Sequence, residues 1–386
     1  MRVIHFHNGK GGGVFSVIRN LLQYSQNSGI ENEVVYVINR EENAAYQPPV
    51  LAGAVRTHVF YYSANWNFYY TCKQLAAFIH NDTDVLIAHD WLELGMVTQL
   101  GLANPVIQFI HGDYEYYYQL AAKHAASVNG FICVSASICY KLQQQLAERA
   151  NEIEYLALPV PDAAPAENQK PGNRIVFIGR CEEGKGYHLL PQIDELLQQH
   201  GCGFEWHVYG EGSLNAEKQS LWSAHSKVLF HGLVPGNQVL KELPAYDFLV
   251  LPTIAEGMPV TIIEAMKAGV LPVVNHLQGG IEELIGNNER GILIEQNKVE
   301  NFAAALQQLQ QQPQYIKTLA TAASIYARKN FDANHCTAAI EKFIVKHACI
   351  KHNRQPKKVY GSRLDITYLP NRLVVFLRKY FLNIKY

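Results

Sequence analysis

Short apolar runs alternate with stretches of helical periodicity along most of the chain, and this alternation predicts parallel α/β layers. The first half predicts strands near 2–7, 33–38, 55–60, 84–89, 105–110 and 130–134, with helices near 14–27, 68–80, 113–126 and 136–149. The second half predicts strands near 174–179, 204–209, 227–231, 247–251 and 270–275, with helices near 186–199, 237–243, 259–268, 298–311 and 314–329. We therefore expect an α/β protein with two Rossmann-like, doubly wound parallel-sheet domains facing across a cleft.

A proline-rich stretch separates the two halves. Residues 159–173 carry four prolines and hardly any bulky apolar side chains, which is typical of a linker. The sequence thus predicts an N-terminal domain over 1–158, a hinge over 159–173, a C-terminal domain over 174–348 and a tail over 349–386. Ligands of such folds bind beyond the carboxyl ends of the strands, so the loops that follow the strands are the candidate site.

Composition limits the class of protein. The chain has 386 residues, 48% hydrophobic and 17% charged, which is enough for two globular domains. Its seven cysteines form no Cys-x-x-Cys pair, so neither a disulfide framework nor a zinc site is indicated, and a reducing cytoplasm is expected. We expect neither a signal peptide nor a membrane-spanning helix, because no apolar run is long enough.

Charge is distributed unevenly along the chain. Residues 346–386 hold ten Lys or Arg and a single acid, Asp365, a formal charge of +9, so residues 1–345 carry −10 of the total of −1. The end of this tail mixes apolar and aromatic residues with Arg372, Arg378, Lys379 and Lys385. Such a segment can lie on an anionic membrane surface, or can dock as an ordinary helix on the acidic body. We expect no nucleic acid as partner, because a matching fold signature is absent.

A glycine-rich loop, Asn8-Gly9-Lys10-Gly11-Gly12-Gly13, follows the first predicted strand. It is not a Walker A loop, and it fails the Gly-x-Gly-x-x-Gly dinucleotide fingerprint because residue 14 is Val. Backbone N–H groups in such a turn can approach an oxyanion closely. The alternative is a tight turn without a ligand.

Two glutamates and two cations stand in loops of the second half. Glu256 and Glu264 lie eight positions apart, and carboxylates suit sugar hydroxyls. The helix start between them, 257–260, offers free N–H groups to a phosphate. Arg180 and Lys185 suit a diphosphate. Together they indicate a nucleotide-sugar site, and the alternative is a set of solvated surface charges.

The string from Glu256-Gly257-Met258-Pro259 to Glu264-Ala265-Met266-x-x-Gly-x-x-Pro-Val-Val resembles the signature of family-4 retaining glycosyltransferases with the two-domain GT-B fold. The resemblance covers roughly residues 1–348. It implies an acceptor-binding N-terminal domain and a C-terminal domain for the nucleotide-sugar donor. It also implies that Gly12 and Gly13, in a Gly-Gly-Val match, lie near the donor diphosphate and the acceptor.

The same resemblance implies roles for single residues. Arg180 and Lys185 would stabilise the departing nucleotide, Glu256 would hold the donor sugar and Glu264 the ribose. His111 would contact the sugar near the reacting carbon and would position and polarise it; no proton abstraction is assigned to it. The backbone around Val234 would read the base, and the helix start would bind phosphate through Gly257, Met258, Pro259 and Val260. His89 and His231 are expected to be structural.

These expectations combine into an activity. A retaining hexosyltransferase would move a sugar from a nucleoside diphosphate sugar to an acceptor hydroxyl on a glycolipid, lipopolysaccharide or other cell-surface polysaccharide intermediate. It would need neither a cofactor nor a metal, since Asp82-Thr83-Asp84 precedes its strand at the wrong end for a ligand site. A same-fold nucleotide-sugar epimerase and a non-catalytic carbohydrate- or nucleotide-binding protein stay open. We expect a cytoplasmic protein, peripheral on the inner face of the cell membrane.

Overall fold

The computed structural model describes residues 1–43, 47–163, 172–214, 220–295, 298–350 and 355–382. Its contacts divide the chain into two compact units. The first unit comprises residues 1–156 with 336–386, and the second comprises residues 157–335.

The first unit is built on a parallel sheet of seven strands in the order β3-β2-β1-β4-β5-β6-β7. The strands are β1 (Arg2–His7), β2 (Glu31–Asn39), β3 (Arg56–Tyr62), β4 (Val85–Ala88), β5 (Val106–Ile110), β6 (Gly130–Cys133) and β7 (Ile153–Tyr155). The helices between them are α1 (Gly13–Gln23), α2 (Arg40–Asn43), α3 (Phe68–Ala76), α4 (Trp91–Leu100), α5 (Glu115–His124) and α6 (Ala136–Gln145). The chain reverses its winding direction between β1 and β4, which is where such sheets place ligands.

The second unit has a parallel sheet of six strands in the order β10-β9-β8-β11-β12-β13. The strands are β8 (Arg174–Ile178), β9 (Glu205–Tyr209), β10 (Lys227–Gly232), β11 (Phe248–Leu251), β12 (Leu271–Asn275) and β13 (Ile292–Ile294). The helices are α7 (Leu190–Gln199), α8 (Gly236–Glu242), α9 (Val260–Lys267), α10 (Gly280–Ile285), α11 (Val299–Gln310) and α12 (Pro313–Asn330). The predicted fold class, two doubly wound parallel-sheet domains, is confirmed.

Helix α13 (Ala333–Ala348) gives a domain boundary that differs from the predicted one at 348. From Cys336 onward the chain groups with the first unit. Lys346 pairs with Glu154 at 2.8 Å, and His347 Nδ1 lies 3.2 Å from the carbonyl oxygen of Asn129. The apolar face of α13 buries Ile340, Phe343 and Ile344.

The predicted hinge lies partly outside the described residues, from 164 to 171. Its first residues are held in the second unit, because Lys267 Nζ donates to the carbonyl oxygen of Val160 at 2.6 Å and pairs with Asp162 at 3.0 Å. Arg328 also pairs with Asp162 at 3.0 Å. A hinge elsewhere in 159–173 stays a prediction.

The basic tail docks on the first unit where it is described. Lys357 N donates to the carbonyl oxygen of Thr98, and helix α14 (Asn371–Leu377) continues into a π-helical turn, Arg378–Leu382. The expectation that Arg378 faces lipid is wrong, because its side chain is buried and pairs with Asp365 at 2.5 Å. Lys385 lies outside the described residues. Within the described part of the chain, no helix has the length and apolarity needed to cross a bilayer.

Candidate functional site

Two glycines lock the loops at the carboxyl edge of the six-stranded sheet. Gly186 has φ +70°, and a Cβ there would lie 2.0 Å from the carbonyl oxygen of Pro252. A Cβ on Gly280 would lie 1.8 Å from the carbonyl oxygen of Gly257. Both approaches exclude any side chain, so the loops after β8 and β11 and the start of α10 are fixed against one another.

The loop after β9 joins the same cluster. Gly210 has φ +126°, and a Cβ there would lie 1.9 Å from the carbonyl oxygen of Gly179. Cys181 N donates to the carbonyl oxygen of Glu211 at 3.2 Å. The turn from Tyr209 to Gly212 is therefore architectural.

Lys185 and Glu256 are brought together by these loops, although 71 positions separate them. Lys185 Nζ lies 2.5 Å from Glu256 Oε1, with side chains 23% and 12% exposed. The backbone supports the contact, because Ile254 N and Thr253 Oγ1 each donate to the carbonyl oxygen of Gly184 at 3.2 Å. A partly exposed cation and carboxylate in contact can separate around a ligand that offers a phosphate oxygen to one and a hydroxyl to the other.

Arg180 and Glu264 are placed differently. Arg180 lies in the same loop as Lys185, but its side chain is 60% exposed and pairs with Glu182 at 2.7 Å. Glu264 lies inside α9 and is buried. Arg180 is thus available to an anion, whereas Glu264 offers a ligand little surface.

The start of α9 carries no side-chain cap. Met258, Pro259 and Val260 are buried, so any contact they make with a ligand goes through the backbone. Pro259 has no N–H, which leaves the amides of Gly257, Met258 and Val260 as the donors of this segment. With the positive end of the helix dipole, they suit an anionic oxygen.

Val234 is half-buried in the loop between β10 and α8. In the preceding strand β10, the ring of His231 stacks on Tyr209 with centroids 4.1 Å apart, and its Nε2 lies 2.9 Å from Nδ1 of His207. His207 also meets Glu205 at 2.8 Å. This network agrees with a structural role for His231.

In the first unit, Gly12 caps α1 with φ +126°, a conformation that strongly favours glycine. A Cβ on Gly11, Gly12 or Gly13 would meet no described atom within 4 Å. Neither backbone conformation nor crowding among the described residues requires glycine at 11 and 13. Open space beside the loop is what close approach of a ligand would need.

His111 follows β5 and is half-buried. Its Nε2 lies 2.8 Å from Nδ1 of His89, whose own Nε2 has no hydrogen-bond partner among the described residues. An unpaired lone pair costs less than an unpaired N–H, which assigns the proton to Nδ1 of His89 and makes it the donor to His111. In this arrangement His111 carries its own proton on Nδ1.

Burial, reinforced by the nearby His7, lowers the pKa of His111 to about 3. Burial also lowers the pKa of His89 well below its ordinary value. Both imidazoles are therefore neutral near pH 7, so His111 can polarise an oxygen as a hydrogen-bond donor but cannot deliver a proton as an imidazolium. The positioning role expected for His111 stays a prediction.

Asp90 and Tyr116 were missed by the sequence interpretation. Asp90 caps α4 and accepts a hydrogen bond from the hydroxyl of Tyr116, which is 47% exposed. Burial, with help from Glu42 and Asp90, raises the pKa of Tyr62 to about 12. The Asp-x-x-Glu spacing from Asp90 to Glu93 is typical of a capping box, and this spacing could have indicated Asp90 from the sequence.

Asp84 has a structural role. It is buried at the start of β4, where it pairs with Arg2 at 2.5 Å and accepts from the backbone of His80 and Asn81. Among the described residues, no group of three or more His, Cys, Asp or Glu side chains is arranged to hold a metal.

The buried histidines predict a loss of stability in mild acid. Burial lowers the pKa of His5 and His7 to about 4, so below pH 6.5 the unfolded chain binds protons that the native state does not. Each should cost about 2 kcal/mol at pH 5. Burial and the nearby Asp90 raise the pKa of Glu93 to about 8. Glu93 therefore stabilises the native state as the pH falls, and this gain offsets the loss from about one histidine. Chemical unfolding between pH 7 and 5 should show this decline, and His5→Gln should reduce it by about 2 kcal/mol. Stability independent of pH in that range would contradict it.

Comparison with known proteins gives the same assignment to both units. Residues 11–149 match the family model described as Glycosyltransferase Family 4, and residues 172–312 match the one described as Glycosyl transferases group 1. The chain is 32% identical over 147 residues to the amylovoran biosynthesis glycosyltransferase AmsK of Erwinia amylovora, covering 36% of each protein. It is 29% identical over 157 residues to WcaL of Escherichia coli K12, named for colanic acid biosynthesis, covering 38% of this chain and 37% of WcaL. The matched segments span little more than a third of these relatives.

Solved structures agree on the fold. Anabaena HepE in complex with UDP-glucose superimposes with a TM-score of 0.72 at 16% identity, over 90% of this chain and 100% of HepE. TarM of S. aureus, in complex with fondaparinux, α-GlcNAc-glycerol and UDP, gives 0.62 at 17% identity over 71% of this chain and 58% of TarM. The two consecutive family matches together cover more than half of the chain. The chain belongs to the family 4 and group 1 glycosyltransferases of the GT-B fold.

Proposed function

We propose that this protein is a retaining hexosyltransferase that moves a sugar from a nucleoside diphosphate sugar to an acceptor hydroxyl. The observation that carries the proposal is the Lys185–Glu256 contact at 2.5 Å. It sets a cation for phosphate beside a carboxylate for sugar hydroxyls, on loops locked by Gly186. Both side chains are partly exposed, so a ligand could displace this contact.

The donor end of the reaction needs charge stabilisation. The bond between the anomeric carbon and the phosphate oxygen breaks, positive charge grows on the sugar ring, and negative charge grows on the diphosphate. Lys185, Arg180 and the amides at the start of α9 would stabilise the diphosphate, while Glu256 would hold the sugar. The acceptor oxygen bonds to the anomeric carbon on the face that the leaving group vacates, and its proton passes to the departing phosphate oxygen.

The acceptor end is assigned to the first unit. Neutral His111 would donate to a sugar oxygen, and Asp90 with Tyr116 would bind acceptor hydroxyls. We propose a glycolipid, lipopolysaccharide or other polysaccharide intermediate as acceptor, since the names of AmsK and WcaL place them in polysaccharide biosynthesis. HepE binds UDP-glucose, which makes UDP-hexoses the first donors to try.

No metal is part of the proposal. A diphosphate met by Lys185, Arg180 and helix amides has its charge compensated by the protein. Transfer should therefore survive EDTA, and a requirement for added Mg²⁺ or Mn²⁺ would refute this element.

The direct test incubates the protein with a panel of nucleoside diphosphate sugars and an acceptor glycan, and follows release of the nucleoside diphosphate. NMR of the new glycoside gives its anomeric configuration, which should equal that of the donor. An inverted product would exclude retention. An isomerised donor sugar formed without any acceptor would point to an epimerase instead.

The acceptor assignment makes a separate prediction. Tyr116→Phe and Asp90→Asn remove a hydroxyl and a negative charge that stand at the edge of the sheet, so each should raise the acceptor KM by about tenfold. The donor KM should stay unchanged, and Tyr140→Phe, at an exposed tyrosine on α6, serves as the matched control. Equal kinetics in all variants would remove Asp90 and Tyr116 from the acceptor site.

A further inference from the structure

Helix α14 and the turn that continues it have reversed polarity. An ordinary surface helix buries its apolar face and exposes its polar one. Here the inward face buries Val374 and the guanidinium of Arg378, which are 0% and 1% exposed. The outward face carries large apolar side chains with exposures from 43% to 70%, namely Leu373, Phe376, Tyr380 and Phe381. We name these four residues the aromatic ridge.

The ridge is contiguous. The ring of Phe376 lies 5.2 Å from that of Tyr380 and 5.6 Å from that of Phe381, centroid to centroid. Leu373, Phe376 and Tyr380 follow one another at helical spacings of three and four, which places them on one face. Soluble proteins rarely expose such a continuous apolar patch to water, so we expect a binding partner to cover the ridge.

The inward face holds the ridge firmly in place. Arg378 pairs with Asp365 at 2.5 Å, and both side chains are fully buried. Asp365 also accepts from the backbone N of Phe68 at 2.6 Å. Asn67 contributes its side-chain amide to the carbonyl oxygens of Ile366 and Leu369 at 2.9 and 3.0 Å. These contacts hold the ridge in a fixed position on the first unit.

Exposed cations flank the ridge. Arg372 and Lys379 are both exposed, and Lys379 Nζ lies 5.4 Å from the ring of Tyr380. Apolar side chains that point outward between cations complement a bilayer whose headgroups are anionic and whose acyl region is apolar. In a two-fold dimer through the ridge, each cation would face its own copy, and like charges oppose such pairing.

We propose that the aromatic ridge inserts into the interface of an anionic bilayer, with Arg372 and Lys379 against the lipid headgroups. This inference goes beyond glycosyl transfer and does not depend on it. It gives the tail a function that the buried Arg378 alone does not explain, since a helix that only closed the fold would expose polar residues. It assigns contact with lipid to Arg372 and Lys379 and excludes the buried Arg378.

The test is flotation of the full chain with vesicles of phosphatidylglycerol and phosphatidylcholine in equal parts. Wild type should float, and the double variant Phe376→Ser/Phe381→Ser should bind at least about tenfold more weakly, since two large side chains no longer leave water. Arg372→Glu/Lys379→Glu should lose binding to the anionic vesicles. The matched control, Tyr140→Ser/Ile325→Ser, removes side chains that are 65% and 64% exposed elsewhere and should float like wild type.

All variants change exposed residues, so each should melt like wild type and transfer sugar to a water-soluble acceptor at the wild-type rate. Failure of wild type to float, or flotation of the Phe376/Phe381 variant at wild-type strength, would overturn the proposal. Light scattering tests the alternative that a second copy of this chain covers the ridge. A wild-type dimer that the same variant converts to a monomer, with no vesicle binding, would make the ridge an interface between two copies of this chain.

Discussion

Lys185→Ala should lower the rate of glycosyl transfer by about 10²–10³-fold, the effect of removing one group that stabilises developing charge. Lys185 is the least exposed cation of its loop, and the close approach of Gly186 to Pro252 fixes the backbone that presents it. Loss of the ammonium removes compensation from the diphosphate as the anomeric bond breaks. Because the pair is partly exposed, the variant should remain folded.

Glu256→Gln keeps the shape of the side chain and removes its charge. It should also lower the rate strongly, and the double variant with Lys185→Ala should lose less than the product of the two single losses, because the groups act on one substrate. Initial rates at saturating donor measure this. Lys346→Ala breaks an exposed ion pair in the first unit and should leave transfer unchanged. Wild-type turnover in Lys185→Ala would contradict the assignment.

Arg378→Met should undock the tail. The substitution leaves the carboxylate of Asp365 buried without its cation, an effect worth about 3–5 kcal/mol. Since the described tail contacts chiefly α3, α4 and α5, we expect the loss as local opening of 355–382, with the two sheets intact. Hydrogen exchange and limited proteolysis should both detect it.

The neighbouring residue supplies the control. Lys379→Met also replaces a cation with methionine, but at an exposed position, and should alter protection of the tail by no more than about 0.5 kcal/mol. Equal protection in Arg378→Met and Lys379→Met would show that the buried pair does not hold the tail.

The sheets could be predicted well from the sequence because parallel strands that are buried on both faces read as short apolar runs. Strand β1 was predicted at its exact bounds, and β8 and β11 to within one residue at each end. The strands that were missed, β7 and β13, have three residues each and lie at sheet edges. So short a run gives little pattern to detect.

Helix α4 was missed for a different reason. Every residue from 92 to 98 is buried, so the helix has no polar face and its sequence has no amphipathic period.

The partner of Arg378 could not be predicted from the sequence either. Asp365 stands 13 positions upstream, and only the docking of the tail on α3 brings the two side chains together.

For the candidate site, the sequence supplied residue types and loops, while tertiary packing supplied the contact. Lys185 and Glu256 were predicted separately, and the glycine-dependent approach of their loops joins them. Asp90 and Tyr116 were not predicted, because their hydrogen bond joins the start of α5 to the N-cap of α4, and these helices follow different strands. The roles of all these residues in transfer stay predictions.

The most direct measurement is the thermal stability of wild type and Lys185→Ala in a panel of nucleoside diphosphate sugars. A ligand that binds only the native state raises the melting temperature, by about 5 °C at roughly 100 times its Kd. We expect at least one UDP- or GDP-hexose to raise the melting temperature of wild type, and the same ligand to have little effect on Lys185→Ala. No shift with any member of the panel, or an equal shift in the variant, would contradict a donor diphosphate held at Lys185.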